Sequence, residues 1–177
     1  MAQAVSMVRE RQAPLRATYA EQPETAISHK HATTITQPEL DCLHGIVRPG
    51  EGFDVTWHTG IDRTVGGDHD APNPGDVLCA ALASCMDGMV RMVADIMAIQ
   101  LTNVSVEVDG DVDVRGTMAI DPSAQIGFRS MRCTVHLQTA PEIEPRQLAA
   151  LRATTERLCV NLQTLRSGVP VDLAWAN

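Results

Sequence analysis

From residue 104 to 114 every even position but one is valine: Val104, Val106, Val108, Val112 and Val114, with Ser105, Glu107, Asp109, Asp111 and Asp113 on the odd ones. A strict period of two over this length predicts a long strand, running 104–115, with one dry and one wet face. Met131, Cys133, Val135 and Leu137 repeat the alternation against Ser130, Arg132, Thr134 and His136. A connection holding Asp121-Pro122 and Gly127 makes the two a long β-hairpin.

Ahead of the hairpin the period is 3.6. Leu78, Leu82, Cys85, Met89, Met92 and Ile96 follow at helical spacing and predict one apolar stripe on a long helix begun by Pro74, Gly75 and Asp76. Asp87, Arg91 and Asp95 recur every four residues on another face. Upstream, His29–Thr36, Leu43–Val47 and Phe53–His58 read as three antiparallel strands, broken at Gln37-Pro38 and at Arg48-Pro49-Gly50-Glu51-Gly52. A second helix is expected from Pro145 past Cys159, lined by Leu148, Leu151 and Leu158, and then a short strand over Val169–Trp175. Strands, helix, hairpin, helix, strand is not the alternation of a parallel sheet, so the fold class is α+β. Residues 1–26 form an extension, with a short helix around Pro14–Glu21, and 27–177 the main domain. The long apolar helix, ~37 Å at 1.5 Å per residue, is better buried if a second subunit covers its other side, which predicts a dimer.

The 177 residues suffice for one domain with its own core, and 44% hydrophobic with 20% charged residues excludes wholesale disorder. Aromatics at 3% and a net charge of −8 argue against nucleic acid and anionic membrane surfaces. No segment reads as a membrane span, and the first eleven residues lack the order of a secretory signal, so a cytoplasmic protein is expected. In that compartment five cysteines do not form a disulfide framework.

Each cysteine has a plain reading first. Cys85 sits on the apolar stripe in mid-helix, where free cysteine is commonly packing. It lies beyond the first turn, where the helix dipole would favour a thiolate, so a reactive Cys85 needs a cation from elsewhere. Cys159 and Cys133 read as packing, and Cys42 and Cys79 as core. His29, His31, Cys42 and His44 could converge as a zinc site only under one strand register, which nothing in the sequence fixes. Gly66-Gly67 lacks the continuation of a phosphate loop, and no nucleophile elbow supports a serine hydrolase.

Two blocks add a resemblance. Gly66-Gly67-Asp68, Asn73-Pro74-Gly75-Asp76-Val77-Leu78 and Ala80-Ala81-Leu82-Ala83-Ser84-Cys85, followed by Cys159-Val160-Asn161-Leu162-Gln163-Thr164-Leu165-Arg166, resemble the OsmC/Ohr family of osmotically inducible and organic-hydroperoxide-resistance proteins. The match spans roughly residues 43–175. It implies antiparallel sheets wrapped around two central helices in an intertwined homodimer, with active sites at the interface. It also implies thiol peroxidase chemistry in oxidative-stress defence. Cys85 would be the peroxidatic cysteine, attacking a small organic hydroperoxide and becoming a sulfenic acid, and Cys159 the resolving cysteine. No bound cofactor is implied; a lipoylated protein or other external dithiol, or a small-thiol reductant, would reopen the disulfide. Leu78, Met89 and Met92 would line an apolar pocket.

The chain departs from the family pattern in places. Gly75 stands where the hydroperoxide branch has a glutamate, and the acid is Asp76, one residue later. Nine helical residues separate Asp76 from Cys85, half a turn off, so Asp76 faces a partner's Cys85 or serves only the helix N-terminus. The family's activating arginine finds its preferred counterpart in Arg48 and its second in Arg63. Val160 and Gln163 replace a proline and an asparagine. The alternative function is a non-enzymatic OsmC-like protein that binds a hydrophobic ligand or senses oxidants through Cys85.

Overall fold

The computed structural model describes residues 6–35 and 37–176, so Met1–Val5, Thr36 at the end of the first expected strand, and Asn177 lie outside the described residues. The elements run α1 (Met7–Glu21), β1 (Ala32–Ile35), β2 (His44–Pro49), β3 (Trp57–Gly60), α2 (Pro74–Ile96), β4 (Leu101–Val112), α3 (Val114–Thr117), β5 (Phe128–Thr139), α4 (Pro145–Leu158) and α5 (Val160–Ser167). Contacts divide them between two compact units. One holds residues 6–12, Ala81–Glu107 and 133–176, and the other Ala13–Ala80 and Val108–Arg132.

In the second unit β1, β2 and β3 form an antiparallel sheet with β2 central. Thr33 pairs with Arg48 and Ile35 with Ile46; Ile46 in turn pairs with His58. This register sets His31 beside Gly50, at the opposite end of the β1–β2 ladder from His44. The strands therefore hold the histidines of the zinc reading apart, and among the described residues no group of three or more His, Cys, Asp or Glu is placed to hold a metal. Cys42, expected in the core, is exposed.

The loop into α2 is built around Asp62. Its carboxylate accepts from Thr64 N at 2.7 Å and from Asn73 Nδ2 at 3.2 Å, and its carbonyl accepts from Gly67 N at 2.9 Å. Gly67 is required by contact: a Cβ there would lie 2.0 Å from the Ile61 carbonyl oxygen. Asn73 then caps α2, its Oδ1 accepting from Gly75 N (2.7 Å) and Asp76 N (3.1 Å) while Asp76 Oδ2 accepts from Asn73 N (2.9 Å). Such a reciprocal capping box, with proline in the first turn, fixes where the helix starts.

The residues of α2 buried within this chain are Leu82, Met86, Val90, Val93 and Ala94. This face is rotated about 100°, one residue, from the stripe read in the sequence; Leu78 and Met92 of that stripe stay 38% and 37% exposed. Apolar residues occupy a wide arc of α2, so periodicity alone does not choose the inward side. By length and composition α2 could also cross a bilayer, contrary to expectation, with a mean hydropathy of 1.6 over eighteen residues. Val93 and Ala94 pack with Ile99 and Leu151, and Met89, Met97, Leu101, Leu137 and Ile143 close around them.

The hairpin is present with shifted ends. Val104, Val106 and Val108 are half-buried while Ser105, Glu107 and Asp109 are exposed, as the alternation requires. Ser130 Oγ meets Asp111 at 3.0 Å and His136 meets Glu107 at 3.6 Å, the crossed order of antiparallel strands. The strand stops at Val112 rather than Arg115, because Asp113 caps the α3 turn and the Arg115 guanidinium binds Asp113 (2.6 Å) and Asp121 (3.2 Å). That pairing holds the Asp113 carboxyl down at about 2.

Three further expectations are corrected. The N-terminal helix is longer than Pro14–Glu21 and begins at Met7. Asp95 Oδ2 accepts from Ser6 Oγ (2.5 Å) and Val8 N (2.9 Å), capping α1, and Arg9 donates two bonds to the Ile96 carbonyl at the end of α2. The second long helix is two helices, broken at Cys159. Residues 169–176 form no strand, and their apolar side chains are open: Val171 83%, Leu173 80%, Trp175 89% exposed.

Candidate active site

The break between α4 and α5 makes the site. Cys159 has an extended backbone (φ −71°, ψ 109°) and ends one helix while opening the next. Its N–H still donates to Thr155 O, closing α4, and its carbonyl accepts from Gln163 N, opening α5, both at 3.0 Å. A residue shared by two helices in this way turns its side chain out of both helical registers. The thiol so presented reaches α2, where Cys159 Sγ donates to Cys85 Sγ at 3.5 Å. Two cysteines 74 positions apart, each read singly as packing, are in contact.

Their surroundings differ. Cys159 is fully buried, whereas Cys85 keeps part of its surface open. Burial pushes the Cys159 thiol up, the hydrogen bond to Cys85 reinforces the rise, and the Leu162 N–H on its sulfur opposes it. Cys159 thus holds its proton and offers it to the Cys85 sulfur. Asn161, two residues on, donates from Nδ2 to Ala81 O at 2.7 Å, on the α2 turn that leads to Cys85. The remaining cysteines are held as thiols or stand apart: burial raises Cys133, and burial with the Asp76 and Asp109 charges raises Cys79.

The other residues named from sequence lie in the second unit. Arg48 is an exposed residue of β2, and Arg63 is exposed in the short turn that Asp62 caps. Asp76 is engaged in the α2 capping box with Asn73. Sequence reasoning named His44 only as a possible zinc ligand and missed its two carboxylate partners: its Nδ1 meets Asp41 at 2.8 Å and its Nε2 meets Asp70 at 3.1 Å. The hydrogen bond to Asp41, joined by that to Asp70, pushes the imidazole above its ordinary value. No local spacing announces this cluster, since Asp70 comes from a loop 26 positions away.

A sulfur pair at a helix break, on a fold of a three-stranded sheet, a long helix, a hairpin and two short helices, can be compared with known proteins. A family model described as OsmC-like protein matches residues 67–174, more than half of the chain. The chain belongs to the OsmC-like family. Solved structures agree on the fold of this OsmC-like chain. An organic hydroperoxide resistance protein OsmC from Legionella pneumophila is 20% identical, covering 79% of this chain and 90% of its own at a TM-score of 0.58. An OsmC-like protein from Mycoplasma pneumoniae is 12% identical, over 80% and 89% of the two chains, at 0.62. An OsmC-like protein of unknown function from Vibrio cholerae is 10% identical, over 78% and 94%, at 0.63. No curated protein sequence matches the chain.

Proposed function

We propose that this OsmC-like protein is a thiol-dependent peroxidase that reduces small organic hydroperoxides through Cys85 and Cys159. The observation that carries the reading is the 3.5 Å contact between an open and a fully buried thiol. Only the sulfur with open surface can meet a peroxide, so Cys85 attacks. Its thiolate attacks the terminal peroxide oxygen, the O–O bond breaks, and Cys85 becomes a sulfenic acid carrying that oxygen and its hydrogen. The alkoxide leaves as the alcohol by taking up a proton equivalent to the one the Cys85 thiol released on ionising. Cys159 then attacks the Cys85 sulfur; the S–S bond forms and water leaves with the thiol proton. The two sulfurs need to close by only about 1.5 Å to reach bonding distance. An external dithiol, such as a lipoylated protein, or a small thiol reopens the bond by exchange at Cys85, the sulfur it can reach, and releases Cys159.

A homodimer completes the proposal. The Leu78 and Met92 side of α2 and the Val171, Leu173 and Trp175 tail leave an unusual amount of apolar surface open on one chain. A second copy that covers the α2 stripe would turn it into an apolar pocket beside Cys85 and could bring Arg48 or Arg63 as the cation that favours the thiolate. A reducing, cytoplasmic setting fits five free thiols. The test is turnover of an organic hydroperoxide with a dithiol reductant. Cys85→Ser should abolish it, and Cys159→Ser should leave one stoichiometric oxidation of Cys85 without dithiol-dependent turnover. Full turnover by Cys85→Ser would end the proposal.

A further inference from the structure

We infer that Asn161 is a positioning residue for disulfide formation: by tying the start of α5 to the α2 turn that leads to Cys85, it sets the approach of the two sulfurs. The inference rests on reading Cys85 and Cys159 as a working pair. The break at Cys159 gives the thiol its reach, and it also makes a joint. No residue of α5 is fully buried and only Asn161, Leu162 and Gln163 are half-buried, so packing restrains this short helix less than it does α4, which buries Leu151 and Thr155. Gln163 Nε2 bonds the Glu156 carbonyl (2.8 Å) and Arg166 pairs with the Glu156 carboxylate (2.8 Å), but both braces join α5 only to α4 and neither reaches α2. Asn161 is different in kind. Its amide crosses to Ala81 O, four residues before Cys85, the carbonyl that takes the Cys85 N–H inside the helix. The Ser84 hydroxyl also donates to this carbonyl, at 3.2 Å, so the Asn161 bond at 2.7 Å is the shorter of its two side-chain contacts. One part-buried bond of 2.7 Å thus fixes the residue two after Cys159 against the turn that ends at Cys85.

An attacking sulfur held at contact distance reacts as if highly concentrated, and loosening it lowers that effective concentration directly. Loss of the tether should therefore act on the second step and spare the first. Cys85 would still take oxygen from a peroxide, but the sulfenic acid would persist and meet more peroxide, giving the irreversible sulfinic form.

The experiment compares the wild-type chain with Asn161→Ala, Asn161→Asp and, as a control, Arg166→Ala. Asn161→Asp keeps the shape and removes the donor; Arg166→Ala loosens α5 from α4 without touching the Ala81 bond. Each folded protein is equilibrated in reduced and oxidised dithiothreitol, and the Cys85–Cys159 disulfide is measured by thiol alkylation and mass. Both Asn161 variants should lower the disulfide equilibrium constant about tenfold, a rise in reduction potential of about 30 mV, while Arg166→Ala matches wild type. After one equivalent of an organic hydroperoxide they should also carry more sulfinic acid on Cys85. Asn161 variants with wild-type potential and partition overturn the inference, as does an equal shift in Arg166→Ala or a wild-type chain that forms no disulfide. A wild-type disulfide in dithiothreitol, with the Asn161 shift but no thiol loss to peroxide, supports the positioning role and removes the peroxidase reading alone.

Discussion

At the scale of single residues the chain sorts its ionisable groups by what touches them. His44, between Asp41 and Asp70, has a folded-state pKa above the ordinary 6.5. The stability it contributes is complete below about pH 6.5 and is lost as the pH rises through the folded value. Asp70→Asn should therefore lower the His44 pKa toward 6.5 by NMR titration and remove part of the fall in melting temperature on the alkaline side; an unmoved titration would contradict the assignment. Asp113 behaves in the opposite sense. Its carboxyl, held at about 2 by Arg115, gives stability that is lost only as the pH falls toward that value. Neither group was legible in the sequence, because each depends on a partner supplied by a turn whose geometry no spacing encodes. Cys85 and Cys159 were legible only through the family resemblance: as residues, both read as packing, and Cys159 is in fact the most buried cysteine of the chain.

At the scale of elements the hairpin and α2 were readable, because a period of two and a period of 3.6 each leave one structural answer. Their ends were not. β4 ends where Asp113 caps the α3 turn, and the expected second helix breaks at Cys159, where nothing in Leu158-Cys159-Val160 signals a stop. The inward face of α2 was misread by one residue because apolar side chains crowd both candidate faces. Two substitutions test this packing. Leu151→Ala removes a side chain only 1% exposed among Val93, Ala94 and Ile99, and should cost about 2–5 kcal/mol by denaturant unfolding. Gly67→Ala forces a methyl against the Ile61 backbone and should cost about 1–3 kcal/mol, since neither partner is a movable side chain. A wild-type midpoint in either variant would refute the corresponding contact.

At the scale of the whole molecule the chain carries the α+β fold of the OsmC-like family. The fold class was legible from element order alone, whereas the assembly is legible only as surface left over: half-buried valines on β4, an exposed Leu78 and Met92 on α2, and an apolar tail. A dimer predicts a mass in solution twice the 19.1 kDa of the chain by light scattering, and the chain mass itself would contradict it. The chemistry is tested most directly by counting thiols and weighing the intact protein before and after one equivalent of an organic hydroperoxide, with Cys85→Ser and Cys159→Ser beside it. The account predicts rapid loss of two of the five thiols with a mass decrease of about 2 Da, abolished by Cys85→Ser. Five unreacted thiols and an unchanged mass would contradict it.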